Sequence, residues 1–273
     1  MKTIGIIGIG NMGQAIARRL YANYELYIFD KETAKTKGVS CSRVCKDLAS
    51  LVICSDLFIL AVKPQDLGGV LNIIKYNVDA KIVVSVAAGI TTIYIENVLG
   101  KAKVVRAMPN MPAKIGEGMV VLSRGRFVTQ MDFDFVNKMF GFMGQTLEIQ
   151  ENMMNAATAV SGSGPAYVCR YINSSGGMDK ISQDLNSVFI KDFRAAAESV
   201  GFSTAEANTL VDKTFYGTID FIKKTGVNPS DLEKQVTSKG GTTEAALGVL
   251  GSGGSLLEAV KAALKRAEEL SRG

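Results

Sequence analysis

The sequence predicts an α/β fold, in which a doubly wound, mostly parallel sheet over residues 1–150 is followed by an all-helical domain over residues 151–273. Short apolar runs alternate with helical stretches in the first half, and the strand signals stop at Glu151. The chain has 273 residues, which suffices for two ordinary domains, and 47% of them are hydrophobic, which is ample for a real core.

The first strand is the Ile-rich run TIGIIG, which leads into GIGNMGQAIARRL. Gly8, Gly10 and Gly13 form the spacing G-x-G-x-x-G between this strand and an amphipathic helix. The first glycine allows a tight turn, the second lets backbone N–H groups approach a pyrophosphate, and the third lets the helix pack closely on the strand. Because a helix N-terminus also favours anions, the segment predicts a dinucleotide site in a Rossmann domain.

The second strand, ELYIFD, ends at Asp30, about 20 residues past the glycines, where such folds place a ribose-binding acid. An acid there accepts a hydrogen bond from the ribose 2′-hydroxyl and repels a 2′-phosphate, which favours NADH. Lys31 and Lys35 follow closely and are suited to hold that phosphate instead. The cofactor is therefore expected to be NADPH or NADH, with a modest preference for NADH.

Five further apolar runs predict strands: SDLFILAVKPQ, AKIVVSVAAG, KVVRAMPN, GMVVLSRG and GQTLEI. Ligands bind doubly wound sheets at the carboxyl ends of the strands. Lys63-Pro64 and Met108–Pro112 fall at such ends, and their prolines suggest rigid loops that face a ligand.

After Glu151 the patterns are helical, and the first of them carries Ser161–Pro165 in its middle. Two glycines and a proline weaken an ordinary helix there and permit close approach of another backbone or a ligand. Ser203 with Glu206 predicts a capping box, and Asn228-Pro229 begins another helix. The apolar faces are broad, which favours completion of the core against a second subunit.

The segment KGGTTEAAL, residues 239–247, predicts a tight turn that runs into a helix. We expect Gly240 and Gly241 to expose backbone N–H groups at the helix start, where they suit a carboxylate. Of the two hydroxyls that follow, Thr242 is expected to cap the helix and Thr243 to face a ligand.

Composition excludes several classes of function. The net charge of +5 comes from scattered lysines and arginines, which argues against a nucleic-acid-binding protein. No apolar run approaches a membrane span, and the start of the chain is no signal peptide, so we expect a soluble cytoplasmic protein. The chain has no histidine, and Cys41, Cys45, Cys54 and Cys169 match no zinc spacing. We expect free thiols and no metal site.

Five segments, in order along nearly the whole chain, carry the most specific signals: GIIGIGNMGQAIA, AVKPQ, MPNMPAKIGEGM, TAVSGSGPAYV and VTSKGGTTEAALGVL. Together they resemble the pyrroline-5-carboxylate reductases, which catalyse the last step of proline synthesis. The resemblance implies NAD(P)H-dependent reduction of 1-pyrroline-5-carboxylate to L-proline by a Rossmann domain and a helical dimerisation domain. It also implies a homodimer, which in this family often assembles into a larger ring, and a substrate pocket between one subunit's cofactor domain and its partner's helices.

The expected site residues lie in these motifs. The cofactor set is Gly8, Gly10, Asn11, Met12, Gly13, Asp30, Ala61, Val62, Lys63, Pro64, Met108, Pro109 and Asn110. The substrate set is Ser161, Gly162, Ser163, Val236, Ser238, Gly240, Gly241, Thr242 and Thr243. The expected catalytic residues are Thr243, which reaches the imine nitrogen, Ser238, which lines the pocket, and Lys63, which places the cofactor or attracts the substrate carboxylate. An imine is basic enough to be protonated before hydride arrives, so a chain without histidine fits this chemistry.

The sequence departs from the family pattern in several places. An unusual insertion at about residues 173–192 precedes FRAAAESVGF, and Met111, Asn155 and Lys239 replace residues usual in the family. Within the insertion, Ser174–Gly177 predicts a flexible linker and ISQDLNSVFIKDF an amphipathic helix. We expect the insertion to face solvent rather than the active site.

Two alternatives stay open from the sequence. A β-hydroxyacid-dehydrogenase-like oxidoreductase would want a catalytic lysine on the interdomain helix, and residues 161–171 contain none. A non-catalytic NAD(P)-sensing protein would keep the glycine spacing but would not need the GGTT segment.

Overall fold

The computed structural model describes residues 2–39, 42–78, 81–182 and 184–272. Within them the chain forms two compact units. The first runs up to Met108 and includes Leu122–Glu151. The second takes in Pro109–Val121 and the described residues from Asn152 onward.

The strands of the described chain form a single eight-stranded sheet. They are β1 (Thr3–Ile7), β2 (Glu25–Phe29), β3 (Arg43–Val44), β4 (Leu57–Leu60), β5 (Ile82–Ser85), β6 (Lys103–Pro109), β7 (Gly118–Arg124) and β8 (Gly144–Glu148). Their order is β3-β2-β1-β4-β5-β6-β7-β8, and the pairs from β3 to β6 are parallel. The chain reaches β3 on one side of β1 and resumes with β4 on the other side. This reversal confirms the doubly wound fold and is the point where such sheets bind ligands.

Strands β6 and β7 run in opposite directions. The N–H of Gly125 donates to the carbonyl of Val104 at 2.8 Å, and the N–H of Asn110 donates to the carbonyl of Met119 at 3.2 Å. Residue numbers therefore rise along one strand as they fall along the other, which is antiparallel pairing. The sheet is mostly parallel, as the sequence predicts.

Helices cover the sheet because its central strands are apolar on both faces. Every residue of β4 (LFIL) and β5 (IVVS) is buried, which is typical of a parallel sheet flanked by helices. The helices of the first unit are α1 (Asn11–Leu20), α2 (Leu48–Cys54), α3 (Pro64–Ile74), α4 (Thr92–Leu99) and α5 (Gln130–Phe140). Leu67, Leu71 and Ile74 of α3 and Ile95 of α4 belong to the same buried cluster as the strands.

The second unit is helical, as predicted. Its helices are α6 (Met154–Ala157), a π-helical turn (Thr158–Gly162), α7 (Gly164–Ser174), α8 (Val188–Ser199), α9 (Thr204–Thr225), α10 (Pro229–Val236), α11 (Thr242–Gly251) and α12 (Leu256–Arg272). Ser203 and Glu206 form the predicted capping box at the start of α9. Asn228 caps α10 through its side chain, and Pro229 is the first helical residue. Both predicted helix starts are therefore confirmed.

The segment predicted to be an insertion, at about residues 173–192, begins as a turn. Gly176 and Gly177 have φ values of 86° and 122°, which close the end of α7. The helix predicted from Ile181 onward begins only at Val188, so that prediction is wrong for residues 181–182 and 184–187. The Asp184 carboxylate accepts the N–H of Asn186 at 2.9 Å, an Asx turn that competes with helix. Gln183 of the predicted helix lies outside the described residues.

Cys45, Cys54 and Cys169 are free thiols, and Cys41 lies outside the described residues. Burial raises the pKa of Cys169 to about 12, which keeps this thiol protonated. Across the described ranges, no three side chains of the metal-ligating types come together. None of the helices described here is long and apolar enough to cross a membrane.

Candidate functional site

The glycine turn between β1 and α1 shows why each glycine is needed. Gly8 has φ 97°, and a Cβ there would lie 2.7 Å from the carbonyl oxygen of Ala61. A Cβ on Gly13 would overlap the carbonyl oxygen of Gly8. A Cβ on Gly10 would meet nothing within 4 Å. The first and third glycines thus close the turn, whereas the second leaves open space at the start of the helix, where a phosphate is expected.

A cavity of about 340 Å³ opens beside this turn. The expected cofactor residues that line it are Gly8, Gly10, Asp30, Ala61, Val62 and Lys63. Asn11, Met12 and Gly13 form the first turn of α1, and Pro64 is the first residue of α3, whose N-cap is Lys63. The cavity lies at the carboxyl ends of β1, β2 and β4, where the sequence predicts the ligand.

Asp30 follows the last residue of β2 and is only 8% exposed. Its Oδ2 accepts the N–H of Ile9 at 2.6 Å, and its Oδ1 accepts the N–H of Glu32 at 2.8 Å. Ile9 lies between Gly8 and Gly10, so the carboxylate braces the glycine turn. Each carboxylate oxygen has a second lone pair, which remains suited to a ribose hydroxyl.

The two lysines near Asp30 are already in ion pairs. Lys31 Nζ lies 2.9 Å from Asp66 Oδ1, and Lys35 Nζ lies 2.6 Å from Glu32 Oε1. The hydrogen bond to Glu32 raises the pKa of Lys35. A 2′-phosphate would compete with these acids for the lysines. Glu32 and Asp66 are not evident from the sequence as part of this site, because nothing local marks an acid as the partner of a particular lysine.

In the second unit, the SGSGP segment lies at an irregular turn. The N–H of Ser163 donates to the carbonyl of Thr158 at 3.0 Å, five residues back, which makes the turn π-helical. A Cβ on Gly164 would lie 2.5 Å from Thr214 Cγ2, so the glycine is needed for close packing against α9. π-helical turns recur at functional sites because they reorient the side chains that follow.

Ser163 contacts the start of α11 through its hydroxyl. Its Oγ lies 3.0 Å from Thr242 Oγ1 and 3.0 Å from Thr243 Oγ1, and Thr243 is the donor in the second of these bonds. Ser163 is fully buried and Thr243 is 4% exposed, whereas Thr242 is half-buried. These three hydroxyls, which we call the hydroxyl cluster, join two segments of the expected substrate set.

Asn110 holds the neighbouring serine. Its Nδ2 donates to the carbonyl oxygen of Ser161 at 3.3 Å, and its Oδ1 accepts the N–H of Met119 at 2.9 Å. Thr214 Oγ1 donates to Ser161 Oγ at 3.3 Å. The fold thus brings Asn110 to the expected substrate residues of the second unit, and its assignment to the cofactor, with Met108 and Pro109, stays a prediction.

Glu117 fixes the loop that carries Asn110. Its two carboxylate oxygens accept from Lys213 Nζ and Lys224 Nζ of α9, each at 2.8 Å. These two ammonium groups lower the pKa of Glu117 to about 2. The residues that make this brace lie about 100 positions apart, so the sequence alone gives no sign of it.

The doubled glycines of KGGTTEAAL have separate structural reasons. Gly240 has φ 70°, a conformation that favours glycine, and a Cβ on Gly241 would overlap the hydroxyl oxygen of Ser238. The N–H of Gly240 donates to Glu244 Oε2 at 2.7 Å, and the N–H of Gly241 donates to the carbonyl of Ser238 at 3.0 Å. The prediction that both glycine N–H groups are exposed for a carboxylate is therefore wrong.

The predicted cap is also wrong. Gly241 is the N-cap of α11 and provides no side chain for it, while Thr242 is the first helical residue. Its hydroxyl bonds to Ser163 instead of to the helix. The first N–H groups of α11 are left without intrahelical acceptors, which makes this helix start suited to an anion.

Other residues hold this turn in place. Arg266 Nε of α12 donates to the carbonyl of Gly240 at 2.7 Å. Val236 ends α10, and Ser238 lies in the turn itself. Asn155, which is expected to depart from the family pattern, accepts from Ser271 Oγ of α12 at 3.1 Å.

Comparisons with known proteins identify the family. A protein-family profile described as pyrroline-5-carboxylate reductase dimerisation matches residues 185–270, and one described as NADP oxidoreductase coenzyme F420-dependent matches residues 3–89. The pyrroline-5-carboxylate reductase of Synechocystis sp. is 33% identical over 282 residues, which cover 98% of this chain and 98% of that protein. The chain belongs to the pyrroline-5-carboxylate reductase family. The resemblance found in the sequence is thereby confirmed.

Two solved structures of pyrroline-5-carboxylate reductases share this fold. The protein from Coxiella burnetii has a TM-score of 0.69 and 28% identity, covering 100% of this chain and 99% of its own. The protein from Plasmodium falciparum, with NADP bound, has a TM-score of 0.66 and 27% identity, and the match covers 99% of this chain and 98% of that chain. Family membership favours an NAD(P)H-dependent oxidoreductase over the β-hydroxyacid-dehydrogenase and sensor alternatives.

Proposed function

We propose that this chain catalyses the NAD(P)H-dependent reduction of 1-pyrroline-5-carboxylate to L-proline. The observation that carries the proposal is the hydroxyl cluster at a helix start without a side-chain cap, in a chain of the pyrroline-5-carboxylate reductase family. That helix start suits the substrate carboxylate, and the adjacent hydroxyls suit the imine nitrogen.

The residues of the first unit fit a dinucleotide. The space at Gly10 and the start of α1 suit the pyrophosphate, and Asp30 suits the ribose. Lys63, exposed at the cavity wall, places the dinucleotide or attracts the substrate carboxylate. The bound cofactor supplies the hydride. NADH is modestly preferred over NADPH, because the acids of the cavity repel a 2′-phosphate and already pair with Lys31 and Lys35.

The second unit holds the substrate. N–H groups in the first turn of α11 bind the carboxylate, and Ser238 and Val236 line the pocket. The Thr243 hydroxyl bonds to the nitrogen of the C=N group and orients the imine carbon for hydride addition. No strong acid is required, because an imine takes up its proton readily near neutral pH. The main contributions of the protein are orientation and exclusion of water.

The remaining assignments concern the assembly and the compartment. The protein functions as a homodimer formed through its helical domain, residues 151–273, and the dimers assemble into a larger ring. Its compartment is the cytoplasm. The dimerisation profile and the broad apolar helix faces support the dimer. Light scattering at micromolar concentration tests it, and a fully active monomer would contradict it.

Steady-state oxidation of NADH and of NADPH, with and without the pyrroline substrate, tests the reaction. We expect oxidation to require the substrate and to match the proline formed, as measured by chromatography. Thr243→Ala provides the matched control, because it removes the hydroxyl proposed to contact the nitrogen. Failure of the wild-type chain to produce proline with either cofactor would overturn the proposal.

A further inference from the structure

Ser163 is the shared hydrogen-bond partner of two neighbouring threonines. Thr242 and Thr243 are consecutive residues of α11, and both of their hydroxyl oxygens lie 3.0 Å from the hydroxyl oxygen of Ser163. Ser163 is fully buried, so bulk water does not compete for these bonds. The π-helical turn before Ser163 directs its side chain toward the start of α11.

The direction of one bond orders part of the hydroxyl cluster. Each hydroxyl has one proton to donate and two lone pairs with which to accept. Thr243 donates to Ser163, so its proton is used inside the protein. The bond between Ser163 and Thr242 admits either atom as the donor.

The geometry gives the bond between Ser163 and Thr243 in one direction. Of the two contacts of Ser163, only the one with Thr242 allows either oxygen to donate. The Thr243 hydroxyl therefore has lone pairs, and not its proton, left for a ligand. Because a buried hydroxyl incurs the full desolvation cost when its partner is lost, Ser163 holds the Thr243 hydroxyl in this orientation.

We propose that Ser163 is a positioning residue that accepts a hydrogen bond from the Thr243 hydroxyl and thereby fixes the Thr243 oxygen as an acceptor toward the substrate nitrogen. Toward a protonated imine, or toward the amine of the product, Thr243 accepts an N–H while its own proton stays on the bond to Ser163. The site thereby selects the protonated imine, which is the form that takes up hydride, without a titratable residue.

This inference rests on the proposed function, because it assumes that Thr243 contacts the nitrogen. The two are separable by experiment. Ser163 acts only through Thr243, so its removal should matter only while the Thr243 hydroxyl is present. A double-mutant cycle measures this dependence directly.

The experiment is steady-state kinetics on wild type, Ser163→Ala, Thr243→Ala and the double variant, with NADH and the pyrroline substrate. We expect Ser163→Ala to lower kcat by about 10-fold in the wild-type background and by less than about 2-fold in the Thr243→Ala background. Ser163→Cys, which keeps the shape and a weak acceptor for the Thr243 hydroxyl, should restore part of the loss. Thermal unfolding of each variant shows whether it is folded, and the cysteine variant replaces alanine if alanine does not fold.

Ser161→Ala is the matched comparison, because Ser161 is an equally buried serine of the same motif that pairs with Asn110 and Thr214 instead. We expect Ser161→Ala to lower kcat by the same factor in the wild-type background and in the Thr243→Ala background. An equal loss from Ser163→Ala in both backgrounds would overturn the inference and leave the proposed function standing. Absence of turnover in the wild type, or full activity of Thr243→Ala, would overturn the role of Thr243 and the inference together.

Discussion

The helices α1 and α11 both follow a glycine turn, and neither has a side-chain cap. At the start of α1, Gly10 leaves open space. At the start of α11, the N–H groups of both glycines already have acceptors within the protein. The first turn therefore presents backbone to a ligand. The second turn uses its glycines for its own geometry, so the groups left for a ligand are the hydroxyls and the N–H groups of the helical residues that follow. Similar strings of glycine before a helix can thus serve recognition in one unit and local folding in the other.

The largest expected effect tests the hydroxyl side of this comparison. Thr243→Ala should lower kcat/KM by roughly 10- to 1000-fold, the loss of one hydrogen bond to the substrate nitrogen of about 1.5–4 kcal/mol. Thr243→Ser should retain much of the activity, because the hydroxyl survives. Thr242→Ala should cost mainly about 0.5–1.5 kcal/mol of unfolding free energy, for its bond to Ser163. If Thr242→Ala abolished turnover while Thr243→Ala kept near-normal activity, the roles assigned to the two threonines would have to be exchanged.

A pair of glycine variants tests the backbone side. Gly13→Ala should lower the free energy of unfolding by about 1–3 kcal/mol or more, because its Cβ overlaps the carbonyl of Gly8. Gly10→Ala should leave the unfolding free energy within about 0.5 kcal/mol and raise KM for the dinucleotide. Chemical denaturation and cofactor titration separate the two outcomes. An unchanged cofactor KM in Gly10→Ala would show that the open space is not used.

Asp30 links the first turn to cofactor choice. Asp30→Asn replaces one acceptor with an NH₂ group that faces a backbone N–H, so the brace on Ile9 or Glu32 is lost. We expect KM to rise for both cofactors, by about 10-fold for NADH, with a smaller rise for NADPH. Asp30→Ala should shift preference further toward NADPH, because it also removes the remaining side-chain oxygen that can accept from the ribose hydroxyl. An unchanged preference ratio between the two cofactors would refute the assignment to the ribose.

The smallest expected effect concerns the acceptor of Gly240. Glu244→Ala frees the Gly240 N–H and should lower the free energy of unfolding by about 0.5–1.5 kcal/mol. Substrate binding, followed as KM for the pyrroline substrate, should stay the same or weaken slightly, because the freed turn is less ordered. Clearly tighter substrate binding would mean that the Gly240 N–H binds the substrate carboxylate after all, and the two turns would then resemble each other.

The sequence predicts the first turn well because its determinants are local. The spacing of Gly8, Gly10 and Gly13, the strand before them and the helix after them lie within one short segment. The position of Asp30 follows from the same strand pattern. The brace from Asp30 to Ile9 does not, because a pattern of residue types does not show which polar groups are already paired.

The second turn is predicted less well because its determinants are distant. The acceptor of the Gly240 N–H is Glu244, but the donor to the Gly240 carbonyl is Arg266 on another helix. The bond between Ser163 and Thr243 joins residues 80 positions apart, and the bond between Asn110 and Ser161 joins residues 51 positions apart. Two adjacent threonines after a glycine look equally able to cap a helix. Only the fold shows that the glycine itself takes the cap position.

The π-helical turn at Thr158–Gly162 bears on the length of the coding sequence. Such a turn holds one residue more than an ordinary α-helical turn. Loss of a single in-frame codon within it would let the helix close regularly and leave the side chains that follow in nearly the same rotational position. The same loss in the regular part of α7 would rotate the side chains that follow by about 100° around the helix axis. A change in codon number is therefore far better accommodated at the π-helical turn than in the helix beside it.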